Sequence, residues 1–168
     1  GPVWRKDFSK IIDKYVKWAS YEPEVEGVVI PFASIYGHTE TAANILACRL
    51  AELGVPVEMH DVSVTHYSHV LSDCFKYSHI VFAAPTFNNG IFDAMEHLLR
   101  DLSHHNLQNR KVALIQNGSW APSSGKLMAE ILGGMKNMEV MEAPITLKSA
   151  LAPGQEGELE ALAQALAA

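Results

Sequence analysis

A short segment rich in hydroxyl groups is the part of this sequence best suited to bind an anion. It consists of Ser34, Ile35, Tyr36, Gly37, His38 and Thr39. The hydroxyl groups of Ser34 and Thr39 can donate hydrogen bonds, and Gly37 permits a close backbone approach or a positive φ. Because the segment contains no Lys or Arg, we expect any anion there to be held by neutral donors.

The segment lies between a predicted strand and a predicted helix. The apolar run at 27–33 is typical of a buried strand, and residues 40–53 have the pattern of a helix that ends at Gly54. The free N–H groups and the dipole at a helix N-terminus favour negative charge. The arrangement therefore predicts a phosphate site in the loop at 34–39.

Two further segments rich in amides, hydroxyls and turn residues follow later predicted strands. The first consists of Pro85, Thr86, Phe87, Asn88, Asn89 and Gly90. The second consists of Asn117, Gly118, Ser119 and Trp120. Phe87 and Trp120 are expected to be exposed, where each could pack against a flat ring. Together with the phosphate site, the two segments predict a phosphorylated planar heterocycle as the ligand.

The spacing of apolar and polar residues predicts an α/β fold. Strands are expected at 28–33, 55–61, 79–84, 111–116 and 140–147, and helices at 39–53, 69–76, 91–102, 124–135 and 157–166. Five strand–helix repeats imply a five-stranded parallel sheet with helices on both faces. In such sheets ligands bind beyond the carboxyl ends of the strands, where the strand order reverses.

Residues 1–26 are predicted to be separate from a main domain at 27–168. Residues 7–20 have the pattern of an amphipathic helix, and Pro23 stops the helix in the linker that follows. Two compatible interpretations of this helix stay open: it packs on the main domain, and it connects to a domain that precedes it. Because the sequence begins at Gly1 without Met, we expect an excised domain.

Composition and charge disfavour two classes of partner. The formal net charge is −6, so no basic surface for nucleic acid is implied. No apolar run approaches the roughly 20 residues that a membrane-spanning helix needs. Cys48 and Cys74 fall in predicted helices and are expected to be reduced thiols. We therefore expect a cytoplasmic protein that binds neither nucleic acid nor membrane.

The eight histidines do not have a spacing typical of a metal site. Neither H-x-E-x-D-H nor H-E-x-x-H occurs, and we interpret these residues as solvated side chains. No Ser–His–Asp or Cys–His arrangement is supported by the spacing. We therefore predict no metal ligand and no catalytic acid, base or nucleophile.

The three loop segments resemble those of the flavodoxin superfamily. Residues 34–39 match its phosphate signature: a hydroxyl residue, any residue, a hydroxyl or aromatic residue, Gly, any residue and Thr. The resemblance implies a flavodoxin-like fold with strand order 2-1-3-4-5 and FMN as the cofactor. The phosphate would lie in the 34–39 loop, and the ring would lie between the loops at 85–91 and 117–121. The Asn89–Gly90 peptide is expected to re-orient with the flavin redox state, because glycine tolerates either sign of φ.

A narrower resemblance is to the flavodoxin domain of flavodiiron proteins, which reduce oxygen or nitric oxide. Residues 85–90 fit the Pro-Thr-x-Asn-x-Gly pattern of that family. The opening at 1–5 is similar to its junction with a metallo-β-lactamase-like di-iron domain. The resemblance implies that the chain relays electrons to such a domain upstream. It also implies a donor such as rubredoxin or a flavin reductase, and it allows a head-to-tail homodimer of the full-length protein.

Two alternative functions stay open at this point. The chain could be a stand-alone flavin enzyme similar to NAD(P)H:quinone reductases, or a flavin-free docking domain with a degenerate site. Steady-state oxidation of NADPH by the chain would favour the enzyme, and a colourless protein indifferent to FMN would favour the docking domain. In the main interpretation the isolated chain is an electron carrier, and the full-length protein is an oxidoreductase.

Overall fold

A computed structural model of the chain describes residues 3–168, so that Gly1 and Pro2 of the predicted domain junction lie outside the described residues. The helices are α1 (Phe8–Ser20), α2 (His38–Glu52), α3 (Tyr67–Lys76), α4 (Asp93–His104), α5 (Ser124–Gly133) and α6 (Glu156–Ala167). The strands are β1 (Val25–Phe32), β2 (Val57–Asp61), β3 (Tyr77–Phe87), β4 (Gly90–Ile91), β5 (Arg110–Asn117), β6 (Met138–Val140) and β7 (Ile145–Leu147). None of these helices is long and apolar enough to cross a membrane.

The strands form one sheet with the order β2-β1-β3-β5-β6. β7 pairs with β5 beyond β6, and all of these pairs are parallel. The short β4 runs antiparallel to the end of β3. The predicted α/β, flavodoxin-like fold with strand order 2-1-3-4-5 is therefore confirmed, and the sheet has more strands than the five that were expected.

Besides β4, one further strand arises because two strands, β6 and β7, take the place of the single strand predicted at 140–147. β6 pairs with the first half of β5, and β7 pairs with its second half. The chain bends between them, and Pro144 precedes β7. Proline has no N–H to donate to a neighbouring strand, so pairing with β5 is interrupted and resumes at Ile145. The two short strands together occupy the fifth position of the sheet.

Helices cover both faces of the sheet. On one face α3, α4 and α5 pack on side chains that include Val29 and Ile80. On the other face α2 and α6 pack on side chains that include Ile30 and Val81. Full burial of one such side chain stabilises the fold by about 1.5–3 kcal/mol. Because neighbouring residues of β1 and β3 alternate between two covered faces, these strands are apolar throughout, as expected for a parallel sheet.

The leading helix forms as predicted, but most of its apolar side chains are not covered by residues 3–168. None of the residues of α1 is buried, and its apolar residues Phe8, Ile12, Tyr15 and Val16 are 54%, 57%, 68% and 57% exposed.

The C-terminal end of α1 does contact the main domain, because the C-cap Tyr21 accepts a hydrogen bond from Arg110 and lies against Phe75. Whether the main role of the helix is to pack on this domain or to connect to another stays a prediction. β1 begins at Val25, three residues before the strand that the sequence predicts from residue 28, and the domain boundary stays a prediction.

Candidate functional site

The loop between β1 and α2 leaves the sheet immediately after a hydrogen bond to β3. The N–H of Ala33 donates to the carbonyl oxygen of Ala83 at 2.9 Å, and the chain then turns away at Ser34. α2 begins at His38, one residue earlier than predicted. Gly37 has a φ of 84°, a left-handed conformation that glycine adopts without strain. The strand, loop and helix therefore follow one another as the sequence indicated.

This loop presents several donors without protein partners. The N–H groups of residues 34–37 donate to no backbone carbonyl of the described residues, and the first N–H groups of α2 have no acceptor within the helix. The side-chain oxygen of Ser34 is buried and has no hydrogen-bond partner in residues 3–168. An unpartnered buried hydroxyl costs about 1–3 kcal/mol. An acceptor in the loop would remove that cost, so the loop fits an anion such as phosphate.

The donors line a small cavity where β1, β3 and β5 end. Its volume is about 110 Å³, and its lining residues are Ser34, Ile35, Tyr36, His38, Thr39, Pro85, Thr86, Asn117, Gly118, Ser119 and Ser149. Pockets for whole small molecules have volumes of about 300–1,000 Å³. The cavity therefore fits one end of such a ligand, and the remainder would lie against the open loops beside it.

The second loop is a tight hairpin. β3 continues to Phe87, and Thr86 pairs with Ile91 of β4. The two residues at the tip, Asn88 and Asn89, have φ values of 49° and 59°, as in the type I′ turns of two-residue hairpins. Gly90 has no positive φ, so the backbone freedom that we expected from glycine is not used there. The helix predicted from residue 91 begins only at Asp93.

The hydroxyl of Thr86 connects this hairpin to the start of α5. It accepts hydrogen bonds from the N–H groups of Ser123 and Ser124 at 2.9 and 3.1 Å. The hydroxyl of Ser123 in turn donates to the carbonyl oxygen of Asn89 at 3.2 Å. Thr86 therefore takes the capping role that a residue of the helix itself normally has. Its contact with a cofactor stays a prediction, and the oxygen has little capacity left for it.

The third loop begins where β5 ends. Gly118 donates its N–H to the carbonyl oxygen of Leu147 at 3.0 Å, and a Cβ atom at this position would lie 2.9 Å from the Cα of Pro122. Asn117 is 7% exposed, and its side-chain amide is bonded to Thr39 and to the backbone of Ser149. The loop is thus fixed both to β7 and to the loop at 34–39.

Each of the three loops exposes an aromatic side chain. Tyr36, Phe87 and Trp120 are 86%, 40% and 98% exposed. Exposure of Phe87 and Trp120 was predicted. Large exposed aromatic side chains beside a polar cavity are suited to pack against a planar ring. The placement of any of these rings against a flavin stays a prediction.

Some of the predicted cofactor-binding residues therefore line the cavity, and others do not. The predicted site residues that do not line it are Gly37, Phe87, Asn88, Asn89, Gly90 and Trp120. Ser149, which does line it, was not predicted. Ser149 follows β7 and so lies beyond the carboxyl ends of the strands, as the other loops do. The position after the fifth strand was the signal that could have identified it.

A larger cavity lies at the opposite end of the strands, where β3 and β5 begin. It measures about 420 Å³, and Ser78, His79, Arg110 and Lys111 are in its lining. The guanidinium of Arg110 donates to five backbone carbonyls, and no unpartnered buried side-chain atom of the described residues lies there. Since its buried polar groups are satisfied, we prefer the smaller cavity with the unpartnered Ser34 hydroxyl.

The fold and this cavity define a doubly wound α/β protein with a cavity suited to an anion where the strand order reverses, between β1 and β3. The sequence profile of the flavodoxin family matches residues 30–150. The chain therefore belongs to the flavodoxin family, which implies a flavin ligand.

Similar proteins include longer oxidoreductases. The chain is 27% identical over 156 residues to a rubredoxin-oxygen oxidoreductase of Megalodesulfovibrio gigas, covering 93% of this chain and 38% of that protein. It is 27% identical over 144 residues to a nitric oxide reductase of Moorella thermoacetica, covering 86% of this chain and 36% of that protein. The crystal structure of the flavodiiron protein from Giardia intestinalis superposes with a TM-score of 0.88 at 21% identity, covering 99% of this chain and 42% of that chain.

The resemblance to the flavodoxin domain of flavodiiron proteins is therefore confirmed. The chain spans about two fifths of the length of these relatives. The activity and partners of a longer protein that contains this chain are accordingly matters for proposal.

Proposed function

We propose that this chain is an FMN-binding electron-transfer domain. The phosphate of FMN binds in the loop at 34–39, and its ring lies against the hairpin at 85–90 and the loop at 117–120. The observation that carries the proposal is the buried Ser34 hydroxyl, which has no partner among residues 3–168. It lies beyond the carboxyl ends of the strands, where open α/β sheets bind their ligands.

The residues at this site fit a phosphate monoester. The unused N–H groups of residues 34–37, the hydroxyls of Ser34 and Thr39, and the N-terminus of α2 supply neutral donors and a favourable dipole. A charge-assisted hydrogen bond contributes about 1.5–3 kcal/mol, so several such bonds can replace a basic side chain. The cavity of about 110 Å³ encloses this end of the ligand and leaves the ring at the surface.

Bound FMN supplies reversible one- and two-electron redox chemistry. The chain itself would hold the phosphate, and the exposed side chains of Tyr36, Phe87 and Trp120 would supply aromatic surface for the ring. It keeps the ring close to the surface, where a partner can approach. The net charge of −6 opposes the build-up of further negative charge near the site. Electron transfer of this kind needs no acid, base or nucleophile from the protein.

In a longer protein, we propose that the domain receives electrons from rubredoxin or a flavin reductase and passes them to an upstream di-iron domain of the metallo-β-lactamase type. The names and lengths of the relatives support this. The uncovered apolar face of α1 supports further polypeptide beside residues 3–20. A head-to-tail homodimer and a cytoplasmic location belong to the same proposal, and the free thiols of Cys48 and Cys74 are compatible with that location.

The first experiment compares FMN with riboflavin, which lacks the phosphate. The flavin-free chain is titrated with each, and quenching of flavin fluorescence is followed. FMN should bind at micromolar concentration or tighter, and riboflavin about 100-fold or more weakly, because two charge-assisted hydrogen bonds are lost. Equal affinity for both would refute the phosphate site, and no FMN binding at micromolar concentration would refute the proposed function.

The second experiment tests the donors with the double variant Ser34→Ala/Thr39→Val. Its FMN affinity should fall by about 3 kcal/mol or more, whereas its riboflavin affinity should hardly change. Ser63→Ala, which removes an exposed hydroxyl from another loop, serves as the control and should bind FMN normally. Sustained NADPH oxidation by the unsubstituted chain with bound FMN would instead favour a stand-alone reductase.

A further inference from the structure

The side chain of Asn117 joins two loops that are far apart in the sequence. Its Nδ2 donates to the Oγ1 of Thr39 at 3.2 Å and to the carbonyl oxygen of Ser149 at 2.9 Å. Its Oδ1 accepts from the N–H of Ser149 at 2.9 Å. Asn117 is 7% exposed, and both hydrogens and the oxygen of its side-chain amide are used. The loop after β1 and the loop after β7 are therefore connected through the end of β5.

The partners of this amide determine its orientation. The N–H of Ser149 can only donate, so the atom that faces it must be the amide oxygen. The amide nitrogen is then directed to the carbonyl oxygen of Ser149 and to Thr39. Both of these atoms accept, so the pattern is consistent in all three bonds. Asn117 is in this way an obligatory donor to the hydroxyl of Thr39.

This bond has a consequence for the proton of Thr39. A hydroxyl has one hydrogen and two lone pairs, and in Thr39 one lone pair accepts from Asn117. The hydrogen must therefore point away from Asn117. Thr39 is 2% exposed and lines the cavity together with Ser34. Its hydrogen is thus available to an acceptor inside the cavity.

The same amide holds Ser149 in a conformation that is unfavourable for a residue with a side chain. Ser149 has a φ of 73°, in the left-handed region that residues other than Gly, Asn and Asp seldom adopt. Two hydrogen bonds with Asn117 support its backbone there: the carbonyl oxygen of Ser149 accepts one and its N–H donates the other. Such strain is commonly found at functional sites, and Ser149 lines the cavity beside Ser34 and Thr39.

We propose that Asn117 is a positioning residue for phosphate recognition: it directs the hydroxyl proton of Thr39 into the cavity and places Ser149 as a third wall of the phosphate site. Asn117 itself does not contact the phosphate through its amide, because the amide is already fully bonded. This inference rests on the proposed function, since the phosphate is that of FMN.

The main test is the variant Asn117→Ala, measured with FMN and with riboflavin. FMN affinity should fall about 30-fold or more, because the donors of the phosphate site are misdirected, and riboflavin affinity should change less than about threefold. The matched control is Gln116→Ala. Gln116 is an 8% exposed amide one residue earlier that bonds Thr146 and Gly125 and does not line the cavity. The Gln116→Ala variant should have the same ratio of FMN affinity to riboflavin affinity as the unsubstituted chain, even if it is less stable.

A double-mutant cycle separates positioning from general weakening. If Asn117 acts through Thr39, the variant Asn117→Ala/Thr39→Val should lose at least about tenfold less FMN affinity than the product of the two single effects. Effects that multiply in full would overturn the role assigned to Asn117, as would equal losses for FMN and riboflavin. The variant Ser149→Gly, which keeps the left-handed backbone without strain, should lose FMN affinity about three- to tenfold. Unchanged FMN affinity in this variant would overturn the role of Ser149.

The hydrogen bonds between Asn117 and Ser149 can also be tested in the absence of a cofactor. In the flavin-free chain, the amide hydrogen of Ser149 should exchange with solvent at least about tenfold faster in Asn117→Ala than in the unsubstituted chain. Equal exchange rates would contradict the bond on which the inference depends. Equal binding of FMN and riboflavin by the unsubstituted chain would refute the phosphate site itself. That outcome is distinguishable from failure of the role of Asn117, which is measured in the variants.

Discussion

The guanidinium of Arg110 donates a hydrogen bond of 2.8 Å to the carbonyl oxygen of Tyr21, 89 positions earlier in the chain. The other acceptors of this side chain are the carbonyl oxygens of Cys74, Phe75, Gln108 and Asn109. Arg110 is only 1% exposed, and burial lowers its pKa. An arginine still carries its charge at neutral pH. One buried cation therefore binds the end of α1, the end of α3 and the start of β5 together.

Replacing Arg110 should destabilise the fold strongly. Arg110→Met removes every donor and leaves several carbonyl oxygens without a partner, at about 1–3 kcal/mol for each that stays buried. We expect the free energy of unfolding to fall by about 3 kcal/mol or more, as measured by urea denaturation. Arg100→Met is the control, since Arg100 is paired with Glu96 on the surface of α4, and should change it by about 0.5 kcal/mol or less. A loss below about 1 kcal/mol in Arg110→Met would contradict the structural role.

The two cysteines should differ sharply in reactivity. Cys48 is exposed on α2, whereas Cys74 is buried on α3. Burial, and after it the negative charge of Asp73, raises the pKa of the Cys74 thiol far above its ordinary value. Because the thiolate is the reactive form, a thiol reagent at pH 8 should label one cysteine in the native chain and two after unfolding.

Single variants identify which cysteine reacts. In Cys48→Ser the native chain should be almost unreactive, and in Cys74→Ser it should react at the rate of the unsubstituted chain. Fast labelling of Cys48→Ser without denaturant would show that Cys74 is reached by opening of the α3 region, and the prediction would be wrong.

His79 should make the chain less stable as the pH falls. Burial, and after it the positive charge of Lys111, lowers the pKa of His79, and the nearby Glu26 and Glu139 only partly oppose this. In the unfolded chain the pKa is about 6.5. Between these two values the unfolded state binds a proton that the folded state does not, so stability is lost on acidification. The contribution of His79 is fully present above about pH 6.5 and declines below it.

Urea denaturation at a series of pH values measures this effect. The loss of stability between pH 7 and pH 5 should be smaller in His79→Gln than in the unsubstituted chain. Lys111→Met removes the positive charge but not the burial that lowers the pKa of His79, so its loss of stability between pH 7 and pH 5 should be intermediate. If all three chains follow the same curve, His79 does not contribute in this range.

The architecture could be predicted from the sequence because the apolar runs at 28–33 and 79–84 indicate strands that are covered on both faces. The loop at 34–39 could be placed because it lies between such a run and a helix. Both inferences depend on local sequence patterns, which can be recognised without knowledge of the tertiary contacts. The exposure of Phe87 and Trp120 followed from their position in loops beyond the strands.

Features that depend on contacts between distant residues could not be predicted in this way. Thr86 caps a helix that begins 38 residues later, so its hydroxyl was assigned to the cofactor alone. Ser149 lines the cavity together with Thr39, and its backbone is held there by hydrogen bonds with Asn117, 32 residues earlier in the chain. The turn at 88–89 uses two left-handed asparagines, where glycine at position 90 had seemed the more suitable residue. The exposure of α1 depends on its surroundings, about which its own periodicity carries no information.

The apolar face of α1 should contribute almost nothing to the stability of this chain. Ile12 and Tyr15 are 57% and 68% exposed, and the side-chain bonds from Trp18 and Lys14 to Glu24 lie toward the end of the helix. We therefore expect Ile12→Ser/Tyr15→Ser to change the free energy of unfolding by about 0.5 kcal/mol or less. Leu46→Ala, at a fully buried position of α2, should cost about 2–5 kcal/mol. Both are measured by urea denaturation. A loss of about 2 kcal/mol or more in the α1 variant would mean that this face is covered within the chain, and the proposal of further polypeptide beside α1 would lose its structural support.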